Sequence, residues 1–205
     1  KKCFGTTLVI EAELASTQIS NVSLVHHQDE LCALKVICFD QAKKAIVERE
    51  AAAQRMAQSH ENVLSLLKDE VTSTANADVL ELRLLFPYCP GGTLAEALEA
   101  QPAGLVEATA LAVFVQYAAA IAHCHTVGVT HRDLKLTNIY REGVEAELGA
   151  SRWLLADFGS AEFGSEREVD SRELLAAARE EVTELTTPEY RAPEQVALEL
   201  GSTLG

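Results

Sequence analysis

His131-Arg132-Asp133-Leu134-Lys135-Leu136-Thr137-Asn138 is followed, nineteen residues after its asparagine, by Asp157-Phe158-Gly159. Asp133, Asn138 and Asp157 carry carboxylate and amide oxygens, the donors that suit a small, hard cation. They can act together only if the fold brings two separate loops to one point. A lone His-x-Asp reads as a surface loop. Both motifs at this spacing leave few folds open.

Composition narrows the class further. A chain of 205 residues can bury roughly 70% of its unfolded surface in a real core. Its net charge of −14 and pI near 4.8 argue against a nucleic-acid backbone or an anionic membrane as partner, and favour basic peptides. Cys3, Cys32, Cys38, Cys89 and Cys124 are odd in number and form no CxxC pair. They read as free thiols in a reducing, cytoplasmic setting, with no zinc site or disulfide frame. The sequence as given reads as carrying no signal peptide. The apolar run Ala108 to Ala122 is broken by Gln116 and ends at His123 and His125, so it reads as a buried helix and not as a membrane span. Residue 1 is Lys and the single methionine is Met56, which suggests a fragment or a processed piece.

Two halves differ in pattern. In the first, Leu8 to Leu14, Leu31 to Phe39 and Val79 to Phe86 have the apolar, partly β-branched look of strands. The polar stretch around Ser16, Thr17, Gln18, Ser20, Asn21 and Ser23 is longer than a minimal hairpin needs and reads as an insertion. Asp40 can cap a helix, rich in Ala, Glu, Lys and Gln, that runs to about Gln58. Pro87 to Gly92 is a turn-rich hinge. Beyond it, Thr93 can cap a short helix through Leu98. A helix from Glu107 to Thr126, apolar almost all round, should be buried. Ser171 to Leu185 has helical composition. Its Glu173, Glu180, Glu181 and Glu184 form either a solvated face or an acidic wall for basic substrates.

The motifs resemble those of the eukaryotic protein kinase family, where they build a phosphoryl-transfer site. Cys32-Ala33-Leu34-Lys35 is similar to that family's strand motif. Thr187-Pro188-Glu189-Tyr190-Arg191-Ala192-Pro193-Glu194 is similar to its T-x-x-Y-x-A-P-E. The resemblance implies an α+β, two-lobed fold. Residues 1–86 would form an antiparallel β N-lobe with one helix, and 87–205 a mainly helical, incomplete C-lobe. It implies ATP and Mg²⁺ as the groups bound, and serine or threonine of protein substrates as the acceptor. Asp-Phe-Gly-Ser-Ala with the long helical segment after it is similar to the Numb-associated kinase group.

The same resemblance assigns roles. Lys35, which alone could be an edge-strand lysine, would hold the α- and β-phosphates. Its partner would be Glu50 in preference to Glu48, because Glu50 lies ten residues before His60 and twelve before Asn62. Ala33, the Phe86 gatekeeper, the Pro87 carbonyl, the Cys89 amide and Tyr140 would surround the adenine. Asp133 would take or orient the substrate hydroxyl proton, Lys135 would neutralise the moving phosphoryl group, and Asn138 and Asp157 would hold the metal. Arg132 needs an anion, and a phosphate on Thr183, in preference to Thr186 or Thr187, would supply it. Thr187 would pack near Asp133 and Lys135.

Departures from the pattern leave alternatives. Phe4-Gly5-Thr6-Thr7 can be laid on the second half of the glycine-rich phosphate loop, with Gly5 as its third glycine and Thr7 over the adenine. The second glycine position then falls at Lys2, and the first lies before residue 1. Gln54 stands where an apolar residue stacks between the lobes, and Tyr140 where a smaller one floors the pocket. A pseudokinase or scaffold, or an inactive fragment, are therefore the competing expectations.

Overall fold

The computed structural model describes residues 2–76, 78–144, 147–164 and 171–199. Strands β1 (Lys2–Cys3) and β2 (Thr6–Thr7) make a small hairpin. Strands β3 (Val9–Ser16), β4 (Ser20–His27), β5 (Glu30–Asp40), β6 (Lys68–Ser73) and β7 (Val79–Pro87) form one antiparallel sheet in the order β3-β4-β5-β7-β6. Side chains alternate across β5. Cys32, Leu34 and Val36 join one apolar cluster with Val25 and Leu85. Ile37 and Phe39, with Ala33 beside them, join another on the opposite face with Leu82, Leu84 and Phe86. Lys35 shares the Ala33 and Ile37 face.

The polar stretch between the first two predicted strands is not an insertion: Ser16 ends β3, and Ser20, Asn21 and Ser23 lie in β4. Polar Asn21 and Ser23 alternate there with Val22 and Leu24, and Ser23 is buried with its hydroxyl on the Asn21 side chain at 2.8 Å. A strand with polar residues on one face is easily mistaken for a loop. Gln28 and Asp29 both have positive φ, as a two-residue hairpin turn requires. That turn fixes the register and sets Val22 opposite Lys35.

Gly5 and Thr7 do not lie over the site. The β1–β2 hairpin is anchored by buried Cys3 and Leu8, which pack with Val25, Cys32, Leu34, Val36 and Leu85 on the far side of the sheet from Lys35. The connection between β3 and β4 is Thr17–Ile19; its Ile19 carbonyl accepts from the Cys38 amide of β5 at 2.8 Å, and it holds no glycine.

Asp40 accepts from the Lys43 amide at 3.1 Å and caps a 3-10 turn that leads into α1 (Lys44–Ala57). Glu50, Ala51, Ala53, Gln54 and Ala57 form its buried stripe. Three small alanines let α1 approach closely, and it packs on β5, β7 and the Phe158–Ser160 turn. Below the sheet, Thr93 and Glu96 form a capping box on α2 (Leu94–Glu99). Then come α3 (Glu107–Thr126), β8 (Val129–Thr130), β9 (Ile139–Arg141), β10 (Trp153–Leu155) and β11 (Glu162–Phe163). The pairs β9–β10 and β8–β11 are antiparallel. Ser171 caps α4 (Arg172–Leu185), and α5 (Pro193–Glu199) follows.

Helix α3 departs from expectation. Among the described residues it buries Val113, Ala120 and Cys124, while Leu111, Phe114 and Val115 are more than half exposed. Its composition does not tell which flanks have neighbours. By length and composition alone it could cross a membrane. Gln116, however, ties its middle to three segments, accepting from Asn62 Nδ2 (2.9 Å) and the Trp153 amide (3.0 Å) and donating to the Ser151 carbonyl (3.1 Å).

Candidate active site

Three charged groups from three elements meet below the sheet. Lys35 Nζ on β5 donates to Glu50 Oε1 on α1 at 2.8 Å and to Asp157 Oδ1 at 2.8 Å. Lys35 and Glu50 side chains are 18% and 7% exposed, whereas Asp157 is 42% exposed and faces the opening. Burial alone would lower the Lys35 pKa, but the Asp157 and Glu50 charges outweigh it and push it up, so the ammonium stays charged. Lys35 in turn holds the Asp157 carboxyl down at about 2. Glu50 is pushed up by burial and by Asp157, against the pull of Lys35.

Backbone geometry aims Asp157. It lies in the left-handed region at φ 66°, a costly conformation for a side-chain-bearing residue that persists where surroundings enforce it. The enforcing contacts are near. Phe158 is fully buried, its ring 4.7 Å from that of His131. A Cβ at Gly159 would come within 3.3 Å of both Asp157 Oδ1 and Glu50 Oε2, so only glycine leaves the ion cluster undisturbed. Burial lowers the His131 pKa; the neutral ring donates from Nε2 to the Ala156 carbonyl at 3.0 Å and accepts from the Asp133 amide at 3.4 Å.

The 131–138 loop supplies a second cluster. Lys135 Nζ is 2.6 Å from Asp133 Oδ2. Thr187 donates to Asp133 Oδ1 through its amide (3.0 Å) and its hydroxyl (2.7 Å), and its hydroxyl accepts from Lys135 at 2.9 Å. Asn138 Nδ2 donates to the Asp133 carbonyl at 2.9 Å, which turns the amide oxygen away as the atom open to a cation. The Ala156 amide bonds the Asn138 carbonyl at 2.9 Å and joins this loop to the one that carries Asp157. Among the described residues no group of three or more His, Cys, Asp or Glu could hold a metal alone. Asn138 and Asp157 offer one amide and one carboxylate oxygen, donor types that suit a hard cation.

The side chains expected around an adenine also gather. Phe86 and Cys89 are buried in one cluster with Leu154 and Ala156, and Ala33 and Tyr140 pack against it. Pro87 is paired with Cys32 at the end of β7, and Tyr140 is bridged to Thr93. Gln54 is buried and its side-chain nitrogen donates to the Leu64 carbonyl, so the polar residue at an apolar position has a partner. Val22, not foreseen from the sequence, faces the site from β4 beside Lys35. Counting back from Lys35 across the Gln28-Asp29 turn would have found it.

Two assignments change. Arg132 finds its anion in Glu162 and Glu181, and Thr183 is exposed on α4 with its hydroxyl on the Arg179 carbonyl at 2.9 Å. Glu181 is thereby neither solvated face nor substrate wall, because an internal pairing uses it. The Thr17–Ile19 loop also binds itself. The Thr17 hydroxyl accepts from the Ser20 amide at 3.0 Å and the Ile19 amide at 3.4 Å, so two amides of that turn are turned inward.

A family model described as protein kinase domain matches residues 9–203. Gly5 and Thr7 fall before its start. CBL-interacting protein kinase 22 of Oryza sativa subsp. japonica is 36% identical over 150 residues, covering 72% of this chain and 30% of that protein. CBL-interacting protein kinase 20 of the same plant is 33% identical over 171 residues, covering 80% and 34%. Serine/threonine-protein kinase ppk30 of Schizosaccharomyces pombe is 22% identical over 195 residues, covering 93% and 20%. The chain spans about a third or less of the length of these relatives.

Proposed function

Because the chain belongs to the protein kinase domain family, we propose that it transfers the γ-phosphoryl group of ATP to serine or threonine hydroxyls of protein substrates. The observation that carries this is the meeting of Lys35, Glu50 and Asp157 beside a loop that presents Asp133, Lys135 and Asn138.

The chemistry follows from positions. Lys35, held by Glu50, would bind the α- and β-phosphates. Ala33, Val22, Phe86 and Tyr140 would enclose the adenine, with the Pro87 carbonyl and Cys89 amide on its edge. Mg²⁺, held by Asn138 Oδ1 and the Asp157 carboxylate, would neutralise charge on the phosphate oxygens. Asp133 would orient the acceptor hydroxyl and receive its proton as the oxygen bonds to the γ-phosphorus. The bond from that phosphorus to the bridging oxygen breaks, and ADP leaves with the electron pair. The Thr187 hydroxyl, which already donates to Asp133 at 2.7 Å with Lys135 alongside, makes the bond an acceptor would make. Proton transfer can be late in such a reaction, so positioning by Asp133 matters more than its basicity.

The net charge of −14 supports protein substrates that are basic around the acceptor and argues against nucleic acid or a membrane as partner. Free thiols at all five cysteines support a cytoplasmic setting. A binding role without catalysis has one observation in its favour, the glycine-free, self-bonded Thr17–Ile19 turn. Transfer from labelled ATP to a Ser/Thr peptide separates the two. Loss of transfer in Asp133→Ala, with ATP binding kept and a Glu180→Gln control unaffected, supports catalysis. ATP binding without transfer in the unaltered chain supports the non-catalytic role.

A further inference from the structure

Arg49 and Arg132 directly precede Glu50 and Asp133 in the chain. Arg49 Nη1 donates to Glu162 Oε2 at 2.7 Å and its Nη2 to Glu181 Oε1 at 3.0 Å. Arg132 Nη1 donates to Glu181 Oε1 at 2.9 Å and to Glu162 Oε2 at 3.2 Å. Each carboxylate therefore bridges both guanidiniums. The four side chains are between 14% and 27% exposed, so water screens these contacts less than at an open surface. Among the described residues, these two positive and two negative groups face one another. Arg132 also sits at φ 70°, a strained conformation that its side-chain anchors help to hold.

We propose that Glu162 and Glu181 are positioning residues for phosphoryl transfer, doing at Arg49 and Arg132 what an added phosphate would otherwise do. Through Arg49 they set α1 and the Glu50–Lys35 pair; through Arg132 they set the loop that carries Asp133. Helix α4 thus locks the site by its fold. A phosphate would bring a charge near −2 to guanidiniums that already face two carboxylates. Of the nearby threonines, Thr183 is exposed with its hydroxyl on the Arg179 carbonyl, and the other two are engaged. Thr186 is buried, bonded to the Val182 carbonyl and to Arg191, and Thr187 is on Asp133. The inference rests on the activity proposed above and reads out separately from it.

Hydrogen exchange, which needs no activity, tests the lock. Glu181→Gln should raise exchange in both Lys44–Ala57 and the 131–138 loop, while Glu180→Gln, an exposed neighbour, should leave both unchanged. Should Glu181→Gln fail to fold, Glu162→Gln removes the other bridge and should show the same pattern. In transfer assays, the protein stripped of phosphate, verified by mass, should retain its full rate. Glu181→Gln should lose on the order of tenfold in kcat with little change in peptide KM, as misplacement of reacting groups does. Paired with Arg132→Gln, its loss should be less than additive. Unchanged exchange in both regions, or a rate that vanishes on phosphate removal, would overturn the proposal. A wholly inactive protein with the predicted exchange changes would instead count against the activity and leave the lock standing.

Discussion

Lys35→Met removes the cation shared by Glu50 and Asp157 and keeps much of the side chain's bulk. Its cost is set mainly by Glu50, which is 7% exposed and keeps a charge with no partner. Breaking a buried pair this way costs roughly 3–5 kcal/mol unless the stranded group can neutralise itself. Glu50 can, by taking a proton. That escape costs about 1.4 kcal/mol for each pH unit above its ordinary value of 4.5. The ceiling is therefore about 3 kcal/mol at pH 7 and under about 1 kcal/mol at pH 5. The sign follows: in the variant the folded-state pKa of Glu50 lies above the unfolded value, so the loss is largest at high pH and shrinks as pH falls toward 4.5. Asp157, 42% exposed, can turn to water and adds less. Thermal melts of wild type and variant at both pH values read this as a fall in Tm of about 6–12 °C at pH 7 and roughly 2 °C at pH 5. Adding Glu50→Gln to the variant should recover most of the loss at pH 7. A loss equal at both pH values, or no recovery in the double variant, would refute the reasoning.

The acid limb of the wild type should report Asp157. Lys35 holds its folded pKa at about 2 against an ordinary 3.8, so its contribution is complete above 3.8 and is lost as pH falls through about 2. Asp157→Asn should flatten that part of an acid titration followed by circular dichroism. Gly159→Ala places a methyl 3.3 Å from both Asp157 and Glu50. It should lower kcat by roughly tenfold with a small change in Tm, since displacing reacting groups costs rate before it costs fold. Gln54→Leu restores an apolar residue but takes the donor from the Leu64 carbonyl, so urea titration should show a loss of about 1–2 kcal/mol; a gain would mean the hydrogen bond is dispensable.

Sequence was informative where function and local structure use neighbouring residues. Asp40 and Thr93 marked where a 3-10 turn and a helix begin, because a capping side chain acts within three residues. The ends of α3 were legible from its apolar run, and the meeting of Lys35 with Glu50 and Asp157, and of Asn138 with Asp133, from motif spacing. Strand β4 was hidden because five of its eight side chains are polar. Strand β6, Lys-Asp-Glu-Val-Thr-Ser, escaped for the same reason at the sheet edge. Gly5 drew the phosphate loop to the wrong hairpin, because glycine content suggests a loop but not the face it packs on. The Arg49–Glu181 and Arg132–Glu162 contacts join residues 132 and 30 apart, and no local pattern encodes them.

The central claim is that Lys35, Asn138 and Asp157 act on one metal-bound triphosphate. Calorimetric titration with ATP, with and without Mg²⁺, addresses it directly. Wild type should bind more tightly with Mg²⁺, Asp157→Asn should lose that difference, and Lys35→Met should weaken binding under both conditions. ATP affinity indifferent to the metal and to both substitutions would contradict it.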